Sequence, residues 1–261
     1  MSGCNVVQLR LFGRDPIPAH VLDLVRRGAL FVVNHSGGKD SQAMLIVLRR
    51  FVPADQLLVV HAELPGVEWD GTADHIRDTI DGLPLIVTRA KRTFMEMVEA
   101  RQRFPSPQQR QCTSDLKRGP IEREVRRYLA ANPRFGGLVV NCMGMRAGES
   151  SRRASLTRFR RSERNSKAGR QWFDFLPIHD LTEGEVFDTI RDAGQEAHWV
   201  YAAGMTRKSC QFCIMASERD LRTAARLAPV AYRRMVATER RLNFTLSMSG
   251  RTLPQITGIA A

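Results

Sequence analysis

Leu30-Phe31-Val32-Val33-Asn34, followed at once by His35-Ser36-Gly37-Gly38-Lys39-Asp40-Ser41, is the stretch on which the fold turns. Its first half has the pattern of a short buried strand, and an apolar helix pattern from Ala43 to Leu48 follows the glycines. A strand ending at Asn34 places residues 35–41 at its carboxyl end, where an open α/β sheet has its ligand crevice. Gly37 and Gly38 permit tight backbone geometry, and the amides there, with the start of the following helix, can receive a phosphate. Lys39 can neutralise phosphoryl oxygens, and Ser36 or Ser41 can donate hydroxyl hydrogen bonds. Asp40 is awkward against a phosphate and better suited to capping the helix or to holding a magnesium ion or a water. The longer Gly-x-x-x-x-Gly-Lys-Ser/Thr loop and the Gly-x-Gly-x-x-Gly dinucleotide fingerprint are both absent. A phosphate loop of another type and an ordinary glycine-rich turn remain.

Outward from this loop, Leu57-Leu58-Val59-Val60-His61, Leu85-Ile86-Val87 and Gly137-Leu138-Val139-Val140 read as further strands. Helical patterns over 73–80, around 94–98 and over 121–130 separate them. This alternation predicts an α/β fold with a doubly wound, mostly parallel sheet. Thr182 and Glu185 predict a capping box that opens a helix reaching Ala193. Periodicity over 221–227 and 232–242 predicts a small helical carboxy-terminal lobe. The expected organisation is a nucleotide-binding α/β domain over 1–215, carrying a basic loop at 146–170, and a helical lobe over 216–261.

Hydrophobic residues make up 43% of the 261, which argues against global disorder. No basic leader followed by an apolar run and no long uncharged apolar stretch is present, so a cytoplasmic protein that does not span a membrane is expected. Forty Lys and Arg against 27 Asp and Glu give a formal charge of +13, which draws in phosphate-rich partners at low salt. The excess is steepest where Arg152, Arg153, Arg158, Arg160, Arg161, Arg164 and Lys167 are opposed only by Glu149 and Glu163. That segment reads as a nucleic-acid groove, a mobile lid over a nucleotide, or a solvated loop. Phe159 is its one aromatic residue and offers no repeated stacking platform.

Cysteines stand at positions 4, 112, 142, 210 and 213, and without an export signal a disulfide framework is a poor reading. Cys4 is expected in a loose terminus. Cys210-Gln211-Phe212-Cys213 brings two thiolates within reach of one metal centre, with Cys112 a third ligand and Cys142 a fourth. Soft ligands favour an iron–sulfur cluster, while zinc, a dithiol redox pair and no shared role stay open. Arg207 and Lys208 precede the pair and can offset thiolates, bind phosphate or sit in solvent. Gly144-Met145-Arg146-Ala147-Gly148-Glu149-Ser150 follows another strand, with Arg146 a candidate phosphoryl clamp and Ser150 a donor. His61, Glu63 and Glu68 form an acidic edge after the second strand, and His198, Trp199 and Tyr201 suit packing or ligand recognition.

The ordered set of the 36–41 loop, Cys112-Thr113-Ser114-Asp115-Leu116-Lys117-Arg118-Gly119-Pro120, the 144–150 segment and Gly204-Met205-Thr206-Arg207-Lys208-Ser209-Cys210-Gln211-Phe212-Cys213 resembles the PP-loop adenine-nucleotide α-hydrolase superfamily. Its likeness is to the phosphoadenosine phosphosulfate (PAPS) reductase-like and DNA phosphorothioation sulfurtransferase-like branch, across residues 30–215. The resemblance implies ATP, adenosine phosphosulfate or its 3′-phosphorylated relative at the loop, with magnesium. It also implies a 4Fe-4S cluster on Cys112, Cys210 and Cys213. Gln111 stands where many cluster-type relatives have a second adjacent cysteine, and no cysteine follows Cys213 to act as the reductases' terminal nucleophile. ATP-pyrophosphatase-type adenylyl activation coupled to sulfur transfer onto DNA or RNA is therefore the expected activity. The alternatives are cluster-dependent reduction of a sulfonucleotide to sulfite and a non-catalytic nucleotide-binding subunit. Lys39, Asp40 and Arg146 are the expected catalytic residues, with Ser36, Gly37, Gly38, Ser41, Glu63, Gly144, Ser150 and Arg207 completing the nucleotide site. A sulfur- or electron-donor protein is the expected partner, and a homo-oligomer is compatible with all of this.

Overall fold

A computed structural model describes residues 17–260; Cys4 lies outside them. In chain order the elements are α1 (Ala19–Arg26), β1 (Leu30–Asn34), α2 (Lys39–Leu48), β2 (Leu57–Ala62), α3 (Thr72–Thr79), β3 (Leu85–Thr88), α4 (Phe94–Arg101) and a single turn α5 (Gln111–Thr113). They continue with α6 (Gly119–Ala131), β4 (Leu138–Met143), α7 (Ser151–Ala154), β5 (Phe159–Arg161), β6 (Gln171–Phe175), α8 (Glu183–Asp192), α9 (Glu218–Leu227), α10 (Pro229–Leu242) and α11 (Leu253–Thr257). The strands form one sheet in the order β3-β2-β1-β4-β6-β5. Strand order reverses between β1 and β4, the kind of switch point at which such sheets bind ligands. The α/β architecture, the mostly parallel sheet and the terminal helical lobe are those expected.

The chain divides into two compact units. The first holds the described residues up to Asn34, Asp40–Val59 and Tyr128–Gln195. Here β1 pairs with β4 and β4 with β6 in parallel, and β5 runs antiparallel to β6. Leu30 to Val33, Val139, Val140, Trp172 and Phe175 are buried, as strands covered on both faces must be. One polar row crosses this apolar sheet. The Asn34 amide donates to Asn141 Oδ1 at 2.7 Å and to the Cys142 carbonyl at 2.8 Å, and Asn141 donates to Asp174 Oδ1 at 2.9 Å. Arg160 closes the row on Asp174 Oδ2 at 3.3 Å. The basic segment contains the helix α7 and the strand β5, elements its charge pattern did not announce.

The second unit holds His35–Lys39, Val60–Arg127 and the residues from Glu196 onward. Its core joins Leu64, Val67, Trp69, Phe94 and Val98 to Phe212, Leu221, Tyr232 and Met235. A turn of π-helix over Ser114–Arg118 carries α5 into α6. The expected capping box of Thr182 with Glu185 forms in the first unit, and Thr93 with Glu96 makes another that the sequence reading did not name. In the lobe the buried Glu239 carboxylate accepts the amides of Leu246 and Leu253, both at 2.8 Å, closing the chain from α10 onto α11. Among the described residues no helix is long and apolar enough to cross a membrane.

Candidate functional site

The turn after β1 is shaped by contacts that only glycine tolerates. Gly37 has φ +74°, and a Cβ there would meet Thr72 Cγ2 at 2.9 Å and the Lys208 ammonium at 3.0 Å. Lys208, buried, donates to the Ser36 carbonyl at 2.5 Å and lies 3.5 Å from Glu68 Oε1. His61 supports the preceding carbonyl, its Nδ1 2.9 Å from His35 O, while its Nε2 faces Glu68 Oε2 at 3.2 Å. One carboxylate thus serves both side chains that hold consecutive carbonyls of the loop inward. Burial alone would raise the pKa of Glu68; the His61 hydrogen bond and the Lys208 charge reverse this and leave it below the ordinary carboxylate value. Burial brings Lys208 down to about 8, with Glu68 opposing the fall.

His35 folds back on the loop, its Nδ1 accepting the Gly37 amide at 3.1 Å. Burial, aided by the charges of His61, His75 and Lys208, lowers its pKa to about 3, so the ring is neutral. Lys39 is 3% exposed, and its ammonium stands 5.5 Å from the centroid of the Tyr201 ring. The Tyr201 hydroxyl accepts the Lys39 amide at 3.1 Å. His198, whose ring meets those of His75 and Trp199, is lowered to about 4 by burial and by Lys208.

Within the first unit, the start of α2 meets the loop after β4. Asp40 Oδ1 accepts from Arg146 Nε at 2.6 Å. Arg146 is buried and reaches the Leu181 carbonyl at 3.4 Å, while its own amide donates to Glu149 Oε2 at 2.9 Å. Gly144 permits this approach, because a Cβ would lie 2.8 Å from the Asp40 carbonyl oxygen and 3.0 Å from the Ser41 nitrogen. Ser150 caps α7, its hydroxyl accepting the Arg153 amide at 3.2 Å.

Glu63 turns to Arg89 rather than to the loop. Arg207 is exposed, and its neighbour Lys208 is the cation that enters the site. The metal expectation is corrected. Among the described residues no group of three or more His, Cys, Asp or Glu side chains is placed to hold a metal ion, so neither a 4Fe-4S cluster nor zinc has a site on Cys112, Cys142, Cys210 and Cys213. Cys142 lies inside β4 in the first unit, its thiol 3.7 Å from the Val140 carbonyl of its own strand. Burial raises the pKa of Cys112 and drives that of Cys210 to about 11. The cation beside them is a protein one. The Lys117 ammonium has its pKa raised chiefly by Cys210.

The basic hairpin is partly neutralised from outside its own sequence. Arg158 pairs with Asp180 at 3.6 Å and Arg160 with Asp174 at 3.3 Å, beside the internal Arg153–Glu149 and Arg161–Glu163 pairs. Arg152, Arg160, Arg161, Arg164 and Lys167 remain exposed. Phe159 is not isolated: it stacks on Phe173 with centroids 5.3 Å apart, and His20 stacks on it at 6.2 Å.

Residues 31–216 match the phosphoadenosine phosphosulfate reductase domain. A curated relative, the uncharacterized 37.8 kDa protein in the gpa 5′ region of Escherichia phage 186, is 26% identical over 173 residues, covering 66% of this chain and 48% of that protein. The chain thus spans about half the length of that relative. Among solved structures, Candida auris phosphoadenylyl-sulfate reductase in its phosphate complex is 13% identical, with 72% of this chain and 87% of that one covered at a TM-score of 0.48. Candida glabrata FMN adenylyltransferase with FAD and inorganic pyrophosphate is 12% identical, with 70% and 55% covered at a TM-score of 0.45.

Proposed function

The chain belongs to the phosphoadenosine phosphosulfate reductase domain family, and from that premise we propose that it binds ATP or a close adenine nucleotide on its PP-loop and activates an acceptor for sulfur transfer. The observation that carries this reading is the arrival of two buried ammonium groups, Lys39 and Lys208, at one glycine loop at the end of β1. Two ammonium groups at one loop supply the positive charge that the oxygens of a polyphosphate tail take up. Loop amides and the hydroxyls of Ser36 and Ser41 then donate to phosphoryl oxygens. Asp40 orients Arg146, which stabilises charge building on the α-phosphate. Magnesium enters as the counter-ion of the nucleotide. Glu63 and Ser150 hold protein partners and Arg207 is exposed, so they receive no step.

In this reaction an acceptor oxygen attacks the α-phosphorus, the bond to the β-phosphate breaks, and pyrophosphate leaves with the electron pair. A hydrosulfide equivalent from a donor protein then displaces AMP, so sulfur takes the oxygen's place without net oxidation or reduction. The exposed arginines of the hairpin favour DNA or RNA as acceptor, because several phosphates can be met at once. The catalytic part is assigned to residues 1–215 and the helices of 216–261 to a supporting lobe. Incubation with ATP labelled at the α- or γ-phosphate, nucleic acid and sulfide tests the proposal. Labelled AMP and pyrophosphate are expected; release of ADP and phosphate, or calorimetric preference for sulfonucleotides over ATP, overturns it.

A further inference from the structure

Groups suited to a phosphate converge on one neutral side chain. The Tyr201 hydroxyl oxygen accepts the amide of Lys39 at 3.1 Å and that of Lys208 at 3.4 Å, two donors from chain segments far apart in sequence. The Lys39 ammonium stands over the same ring, and a Cβ on Gly38 would lie 3.3 Å from the same hydroxyl. Paired backbone amides with a lysine beside them form the donor set that a phosphoryl oxygen takes at an anion-binding loop. Here a phenol oxygen occupies it. Tyr201 is half-buried.

We propose that Tyr201 is a phosphate surrogate: it keeps the two amides satisfied and the loop in shape, and gives up its place to an oxygen of a nucleotide's polyphosphate tail or of inorganic pyrophosphate. This inference rests on the loop being the nucleotide-phosphate site. The exchange runs toward the ligand because hydrogen bonds to an anionic oxygen are about twice as strong as those to a neutral one. The surrogate's cost is competition, since every phosphate must displace a hydroxyl already in position.

Tyr201→Phe keeps the ring and its contact with Lys39 but deletes the competing oxygen. Calorimetry on the intact chain with ATP, with inorganic pyrophosphate and with adenosine separates the outcomes. Removal of one competing hydroxyl is expected to tighten ATP and pyrophosphate about three- to tenfold, to speed pyrophosphate association, and to leave adenosine affinity unchanged. If the wild-type protein binds ATP and Tyr201→Phe binds it equally or more weakly, the surrogate is overturned while the nucleotide reading stands. If affinity for adenosine shifts in step with that for ATP, the hydroxyl acts on the whole site rather than as a stand-in for phosphate, and the proposal is again overturned. If both folded proteins bind neither ATP nor pyrophosphate, the nucleotide reading falls and the surrogate falls with it.

Discussion

Replacing Arg146 by Met removes the cation from a pair whose geometry sets the size of the effect. Its Nε lies 2.6 Å from Asp40 Oδ1, with the arginine side chain 7% exposed and the carboxylate 19%. Breaking a buried pair from one side costs about 3–5 kcal/mol, because a charge is left without its partner, whereas an exposed pair is worth about 0.2–1 kcal/mol. Asp40 keeps a fifth of its side chain in water, which places the expected loss near the lower bound, at about 3 kcal/mol. Asp40→Asn should cost a comparable amount by stranding the buried guanidinium. The double variant should cost less than the sum of the two, with a coupling of about 2 kcal/mol. Urea unfolding of the four proteins at neutral pH and low salt measures this cycle, and an unchanged m-value shows that the unfolded states are comparable. A coupling below about 0.5 kcal/mol would mean that solvent screens the pair, and the reasoning from burial would be refuted. Because Asp40 lies in the first turn of α2 and follows Lys39 directly, both single variants should also lose ATP affinity.

Acid should destabilise the protein through His35. Its folded pKa of about 3 lies below the ordinary 6.5, so between those values the unfolded chain binds more protons and stability falls as pH falls. His35→Asn, whose side-chain oxygen can replace Nδ1 as acceptor for the Gly37 amide, should flatten the drop in unfolding midpoint between about pH 6.5 and 4.5; a slope equal to wild type contradicts this. Gly144→Ala should lose about 1–3 kcal/mol through collision with the backbone at Asp40 and Ser41, and a wild-type melting temperature would show that the approach is looser than described. Changing Arg160, Arg161 and Arg164 to Ser should weaken DNA and RNA binding and flatten its salt dependence while ATP affinity holds. Arg158 is left in place because its side chain is only 18% exposed, against 62% for Arg160 and 51% for Arg161. Loss of ATP affinity alone would make the hairpin a nucleotide lid.

The strand, glycine turn and helix from Leu30 to Leu48 were legible because each step has a local cause: an apolar run, residues free of Cβ, then a helical period. Thr182 and Glu185 were legible for the same reason. β5 and β6 were not, since Phe159-Arg160-Arg161 carries too little apolar pattern to stand out from the charge around it. That strand exists because β6 offers it an edge. In the site, Lys39, Asp40 and Arg146 could be nominated from their loops, but which acid faces the loop could not. Glu63 and Glu68 are equivalent in pattern, and only the folded chain turns one to Arg89 and the other to His61 and Lys208. That Lys208 rather than Arg207 enters the loop, and that Tyr201 meets it, could not be read from the sequence, because those meetings span more than 160 residues. The cysteine spacing suggested a metal because spacing cannot show a lysine ammonium set among the sulfurs.

The polar row from Asn34 through Asn141 and Asp174 to Arg160 has a consequence for how faithfully the sheet assembles. Leu30-Phe31-Val32-Val33 and Leu138-Val139-Val140 are nearly featureless runs, apolar on both faces. Slid by two residues, such strands would present equivalent surfaces to each other, and hydrophobic burial would scarcely tell the alignments apart. An amide or carboxylate slid by the same amount would face methyl groups and lose its partner, at a cost of about 1–3 kcal/mol for each unsatisfied group. The row therefore acts as a proofreading mark written across four strands. It rejects misaligned sheets during folding and sets the end of β1, and with it the starting point of the glycine turn, to a single position.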